Sequence, residues 1–521
     1  MSGKLLLWVT VVAMVCISVA QDSPDIPIPE KEMDNLQTRL TTIASWGSRR
    51  TGSVAHHACI DWIADKFGRA GLKVMRDTHI FSLYDLSEEN IGLSVDGENG
   101  MKKMYPSAAY PFSGLTDSAG VTGELVYIPK KQYGRSKGKI AVVEVPNKSV
   151  PTDALFDVQF EFPKGDTILP ERIYNPVLSS TLFGPDLVKF RKAGALAVVA
   201  VWKNMTPGMA AGQYLPFTFP YKNLPALWMA GDDGRYVLDA AKKGNKASML
   251  LNGTLDTAVD ADNVWAMVEG ENPDETILVI SHSDGTNPVE ENGFIGLISL
   301  AEKLKNSGKK PKRTVVFVVV AGHLRLPDLT DKKKEQATTI WLKEHPELWD
   351  GKKGHRKAVA GIVLEHLGAM EWADTKEGYL PTGKPEIEVV YATSEKMRHL
   401  VKNRWKDRIV PLRASIVTPR SIRHLGEGEP LFEAGIPAVA LLGIPSYLLS
   451  EIRNQSPGIT YDKASTLANP ALVAEQCEAA YGVLNDLTEV PVKEFGKVKH
   501  VGLCGKICDI IKVIGVMNAK E

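Results

Sequence analysis

Between Asp262 and Leu487 the chain alternates short, almost wholly apolar runs with segments of helical spacing, and this rhythm narrows the choice of fold more than any other feature. The runs Thr276–Ile280, Val315–Val320, Gly361–Leu364 and Ala438–Leu442 are mostly apolar, the first two dominated by β-branched residues. With no polar face, each reads as a strand buried on both sides. Helix-compatible stretches separate them at Gly293–Lys305, Thr330–His345, Ser394–Asp407 and Asn469–Leu487, and further strands are expected at Asn263–Val268 and Glu386–Tyr391. Such alternation predicts an α/β fold, a mostly parallel sheet covered by helices on both faces.

Three of the buried runs end in titratable side chains. The first leads into Ser281-His282-Ser283-Asp284, the second into Ala321-Gly322-His323, and the third into Glu365-His366. Ligands of open α/β sheets bind outside the carboxyl ends of the strands, so His282, His323 and Glu365 meet in one pocket if their strands are neighbours. Glu290, Glu291 and Asn292 follow in the loop after the first strand, and Gly426-Glu427-Gly428-Glu429 precedes the last. Imidazoles and carboxylates so placed either hold zinc or run acid–base chemistry without a metal. The plainer readings are a core histidine at His366 and a solvated turn at Glu427 and Glu429.

Ahead of this region the character changes. Residues 1–20 read as a secretory signal peptide, Lys4 followed by an apolar run and Ser18-Val19-Ala20, so the product is expected to be exported. No other run reaches the roughly 18 apolar residues of a membrane span. Sequons at Asn147, Asn204, Asn252 and Asn454 suit a glycoprotein. Outside the leader, Cys59, Cys477, Cys504 and Cys508 permit one or two disulfide bonds. Lys and Arg number 62 against 62 Asp and Glu, which gives no reason to expect nucleic acid as a partner. Short β-type runs and Pro-containing loops mark residues 105–257 as an insert between 21–104 and 258–490, with a tail at 491–521.

From Arg50-Thr51-Gly52-Ser53 through Leu72, and again from Asn263 to Leu487, the chain resembles the secreted zinc aminopeptidases, a family that also contains glutamate carboxypeptidase and the glutaminyl cyclases. The insert resembles a protease-associated domain at Phe190–Ala195 and Leu224–Leu227. The resemblance places a metal-binding His on His282 and its supporting Asp on Asp284. The metal-bridging Asp falls on Asn292, or with a one-residue slip on Glu291. The catalytic Glu and the metal ligand after it fall on His323 and Leu324, and leucine binds no zinc. Another Asp ligand falls on Glu365, and the last His has no counterpart near Gly458.

The resemblance therefore implies the scaffold without the standard two-zinc centre: no metal, or a single zinc on His282 and Glu365. So many ionisable groups retained at strand ends point to a repurposed site with His323, Glu365, His282, Asp284 and Glu427 as catalytic residues and Glu291, Asn292, His366 and Glu429 meeting the substrate. That substrate is expected to be a peptide or a small amine- or amide-bearing molecule, hydrolysed, cyclised or condensed. A non-catalytic binding protein and a zinc aminopeptidase with displaced ligands are the alternatives. Whether the chain forms a homo-oligomer is left open.

Overall fold

The structure, a computed structural model, describes residues 30–129, 131–326, 335–406, 408, 412–420, 424–454 and 457–498. The expected signal peptide, Cys504, Cys508, most of the tail and the start of the helix expected at Thr330 lie outside these residues.

A nine-stranded sheet forms the larger part. Its order is Val74–Asp85, Thr254–Val268, Arg313–Val320, Asn272–His282, Lys357–Glu365, Ala438–Gly443, Glu388–Ala392, Ala414–Pro419 and Phe156–Phe162. The apolar runs behave as their composition demands. Ile277 and Val279 point into one core and Leu278 and Ile280 into the other, while Val315, Phe317 and Val319 oppose Val316, Val318 and Val320. Each of these side chains is at most 1 % exposed, and each such burial contributes about 1.5–3 kcal/mol. The first core is covered by helices Glu30–Trp46, Val54–Arg69, Gly293–Asn306, Glu395–Trp405 and Pro470–Glu489, the second by Ala337–Glu344 with the segment around Leu155 and Phe156.

The sheet is parallel at its centre and mixed towards its edges. The central strands from Arg313–Val320 to Ala438–Gly443 are parallel, as are Glu388–Ala392 and Ala414–Pro419, but the other four of the eight pairings are antiparallel. At one edge the second sheet is the reason: Val74–Asp85 carries the chain towards it and Thr254–Val268 brings it back, so the two run in opposite directions. Parallel neighbours need a crossover, and Gly293–Asn306 and Ala337–Glu344 supply it at the centre.

The second sheet has eight strands in the order Gly100–Met104, Ile91–Gly97, Lys246–Leu251, Val121–Tyr127, Ile140–Pro146, Ala197–Lys203, Ala226–Met229 and Ala108–Ala109. It begins at Ile91, ahead of residue 105, and Phe156–Phe162 leaves the middle of the insert to form an edge of the larger sheet. Cys59 and Cys477 are buried in the first core and no disulfide joins them. Among the described residues no helix is long and apolar enough to cross a membrane.

Candidate active site

Asn272–His282 lies between two parallel neighbours, with His282 opposite Val320 and Ile280 opposite Val363. This register brings His282, the turn Ala321-Gly322-His323 and the Glu365-His366 pair to one rim of the sheet. The imidazoles of His282 and His323 stack, their centroids 4.2 Å apart and their planes 18° from parallel.

His282 is fully buried, and its Nδ1 lies 2.9 Å from the main-chain oxygen of Asp284, which assigns the ring proton to that nitrogen. Its Nε2 is left with no hydrogen-bond partner. The Asp284 carboxylate sits behind the ring and accepts from the Thr51 hydroxyl at 2.6 Å, from the amide of Leu324 at 2.7 Å and from that of His323 at 3.1 Å. Burial opposes ionisation of both partners. Asp284 with Glu291 and Glu290 nevertheless holds His282 well above the usual imidazole range, and His282 holds Asp284 well below the usual carboxylate range.

His366 occupies the left-handed region at φ 58°, unusual for a non-glycine residue, and its Nδ1 meets the Gly443 carbonyl at 2.8 Å. Its Nε2 faces Glu290 at 2.6 Å, Glu291 at 3.4 Å and Glu365 at 3.9 Å. Burial pulls this imidazole down, but Glu290, Glu291 and Glu365 together raise it to about 9. Burial pushes Glu291 up to about 7, with Glu365 and Glu290 adding to the rise against His282 and His366. Glu365 is raised mainly by burial, whereas at Glu290 the neighbouring His366 outweighs burial and lowers it.

Glu427 lies behind His323, 2.5 Å from its Nδ1, and its other oxygen accepts from the Thr338 amide at 2.8 Å. Burial would raise this carboxyl, but His323 holds it at about 2. The Glu427 amide in turn donates to Glu365 at 2.6 Å. This approach needs Gly426, with φ 73°, because a Cβ there would lie 2.3 Å from Glu365 Oε2.

A cavity of about 230 Å³ opens above the cluster. Glu290, His323, Glu365 and His366 reach it, and Leu155, Phe156, Val177, Phe217, Leu448 and Leu449 contribute apolar wall. Three expected substrate contacts do not line it, and the first, Glu291, is fully buried in the cluster beneath. Asn292 is buried with its amide spanning the backbone of Leu367, accepting at 2.6 Å and donating at 2.9 Å. Glu429 is half-buried and accepts from Gln336. Of the two registers open for the loop, Glu291 faces His282 Nε2 at 3.6 Å while Asn292 is turned to the main chain.

Several residues of the site escaped the sequence reading. Arg49, Thr51 and His56 approach from the entry to the second helix. His56 is buried, with Nδ1 accepting from Gly52 and Nε2 bonded to Ser283 at 2.8 Å; burial holds it at about 4 and therefore neutral. The Arg-Thr-Gly-Ser stretch before a helix was the available signal.

His282, Glu291, Glu365 and His366 fit a single metal ion. One donor atom from each lies within 4.8 Å of the others. Both imidazoles direct Nδ1 to a main-chain carbonyl, which orients Nε2 inward, as the hydrogen bonds behind metal-binding histidines do. Of the separations 3.4, 3.6 and 3.9 Å, the two longer exceed hydrogen-bond length, and all three lie near the roughly 3.3 Å edge of a tetrahedron with zinc-length bonds.

The mixed sheet, its two helical layers and the cluster at the central strand ends together define a zinc aminopeptidase-like fold. The M28 peptidase precursor from Shewanella amazonensis SB2B superposes with a TM-score of 0.59 at 14 % identity, over 88 % of this chain and 96 % of that one. An aminopeptidase from Aneurinibacillus sp. strain AM-1 gives 0.55 at 14 % identity, over 90 % and 96 %. The zinc aminopeptidase of Bacillus subtilis gives 0.56 at 14 %, over 90 % and 98 %. No protein-family model matches the sequence, and no curated protein does.

Proposed function

We propose that the chain is an exported enzyme in which a His323–Glu427 pair transfers protons beside a single-metal set, acting on a peptide or a small amide- or amine-bearing molecule. The observation that carries this reading is the environment of His323. Its Nδ1 is engaged by a buried carboxylate that is itself fixed by a main-chain amide, and its ring borders the cavity. Such a carboxylate orients the imidazole, leaving Nε2 as the base. Nε2 then takes the proton of an attacking water or amine and returns it to the leaving group, serving hydrolysis, cyclisation or condensation alike.

Zinc, when bound by His282, Glu291, Glu365 and His366, would act as a Lewis acid towards a substrate carbonyl oxygen. Asp284 keeps His282 oriented, and the Glu427 amide keeps Glu365 in place. The apolar wall favours a substrate with a nonpolar body and excludes water from the reacting end. The eight-stranded sheet, by the motifs it contains, is proposed as a protease-associated-like unit.

A second reading has one observation in its favour. The 2.6 Å approach of His366 to Glu290 is an ion pair formed without a metal, as a non-catalytic binding protein would allow. Turnover of an amide, ester and amine panel by the wild type, lost in His323→Ala, supports the enzyme. No turnover of any member supports the binding protein, and turnover unchanged in His323→Ala removes this residue from the mechanism.

A further inference from the structure

Arg49 is completely buried, yet its hydrogen bonds go to main-chain carbonyls and to no carboxylate. Its guanidinium donates to the carbonyl of Glu291 at 2.6 Å, to that of Asn287 at 3.3 and 3.4 Å, and to those of Ser283 and Gly47 at 3.4 Å. Its own main chain forms a two-bond bridge with Gly285, 2.7 Å in one direction and 3.1 Å in the other. Three of the four accepting residues lie in the loop between Ser283 and Glu291. That loop starts immediately after His282 and ends on Glu290 and Glu291, so its two ends carry the donors that face each other across the cluster.

The loop is folded back on itself with no slack. A Cβ on Gly285 would lie 1.8 Å from the Glu290 carbonyl oxygen. Asn287 fixes the middle: its Oδ1 accepts from Val289 and Glu290, and its Nδ2 donates to the carbonyls of Leu448 at 2.9 Å and Ser450 at 3.0 Å. What remains is the base of the loop, where the chain enters at Ser283 and leaves at Glu291. Arg49 spans it, donating to main-chain carbonyls at both ends. A buried guanidinium is costly unless its donors are used, and its planar fork can serve several carbonyls at once, which a lysine ammonium cannot do in the same geometry. Its charge also lies behind Asp284, Glu290 and Glu291, whose carboxylates act on it through space.

We propose that Arg49 is a positioning residue, a brace across the base of the Ser283–Glu291 loop that sets the spacing of His282 and Glu291 for metal binding. The part concerning metal rests on the single-metal reading above; the brace itself does not. Acting through the geometry of its fork, Arg49 is not replaceable by another cation of similar length.

The test uses the full chain as wild type, Arg49→Lys and Arg49→Gln, with two readouts. Zinc affinity is measured by competition with a chromogenic chelator, and amide hydrogen exchange is followed on the metal-free protein over residues 284–293 against the strand residues 276–281. Both substitutions are expected to weaken zinc binding by about 10- to 100-fold, the usual effect of losing an outer-shell partner, and to speed exchange in the loop while the strand stays protected. Arg49→Lys matching the wild type in both readouts overturns the proposal, because charge alone then suffices. Slowed or unchanged loop exchange in both variants also overturns it. If the wild type binds no zinc, the single-metal reading fails, and the exchange measurement still decides the brace. Should Arg49→Lys fail to fold, Arg49→Gln, which keeps two N–H donors without the charge, carries both readouts.

Discussion

The rings of His282 and His323 lie face to face, 4.2 Å between centroids, although their sequence neighbours belong to different strands. Each ring is held from behind by an acidic residue: His282 by Asp284, His323 by Glu427. The stacking joins the two halves of the site, because one ring belongs to the metal-competent set and the other to the pair proposed to transfer protons. His323→Ala should therefore lower turnover by about 10²- to 10⁴-fold, the range for a lost general base, while leaving zinc content unchanged. Glu427→Gln should give a smaller loss in kcat. Steady-state kinetics with parallel metal analysis check both, and a loss of zinc in His323→Ala would show that the two halves are not separable.

Gly426 should tolerate no side chain. Alanine there meets Glu365 Oε2 at 2.3 Å and must also hold φ at 73°, which costs about 1–2 kcal/mol by itself. Gly426→Ala is expected to lose about 2–4 kcal/mol in denaturant unfolding, backbone strain and overpacking together, and to weaken zinc binding by moving Glu365. Wild-type stability would contradict the observed approach of the loop to the strand end.

Asn292 is expected to matter for stability and not for substrate. Its amide satisfies both the N–H and the C=O of Leu367 in a buried setting, and removing a partner from buried polar groups costs about 1–3 kcal/mol each. Asn292→Ala should therefore lower the unfolding midpoint with little change in KM. An altered KM at unchanged stability would assign it to substrate after all.

In the metal-free protein the cluster makes stability depend on pH in both directions. His366, raised from 6.5 to about 9, contributes stability that is complete below pH 6.5 and lost as pH rises through 9. Glu291, raised from 4.5 to about 7, likewise contributes below 4.5 and loses its contribution through 7. Glu427, lowered from 4.5 to about 2, contributes above 4.5 and loses its share as pH falls to 2. Thermal unfolding of the chelator-treated protein should thus weaken from pH 6.5 to 9, and His366→Gln should flatten that fall. Zinc requires neutral imidazole and ionised carboxylate, so its stabilising effect should grow over the same interval. A pH profile identical in wild type and His366→Gln would contradict the ion-pair assignment.

The fold was legible where short-range pattern decides burial. Ile277 to Ile280 and Val315 to Val320 have no polar face, which demands a strand covered on both sides and places His282 and His323 at its rim. The sheet edges were not legible, because Phe156–Phe162 pairs with Ala414–Pro419 across more than 250 residues and nothing local distinguishes it from a strand of the second sheet. Within the site, Glu365 was readable as a strand end, but the choice between Glu291 and Asn292 turned on one residue of register in a loop. Arg49, Thr51 and His56 lie more than 220 positions from the groups they touch, and only the folded chain brings them together. The partnership of Glu427 with His323 was hidden for the same reason, since a glutamate between glycines reads as a solvated turn until Thr338 and His323 close over it.

Zinc stoichiometry is the most direct measurement. On protein purified without added metal or chelator, mass spectrometric metal analysis should find one equivalent per chain, bound in the wild type and lost in both His366→Ala and Glu291→Ala. Two equivalents, none, or one that survives both substitutions would contradict a single ion held by His282, Glu291, Glu365 and His366.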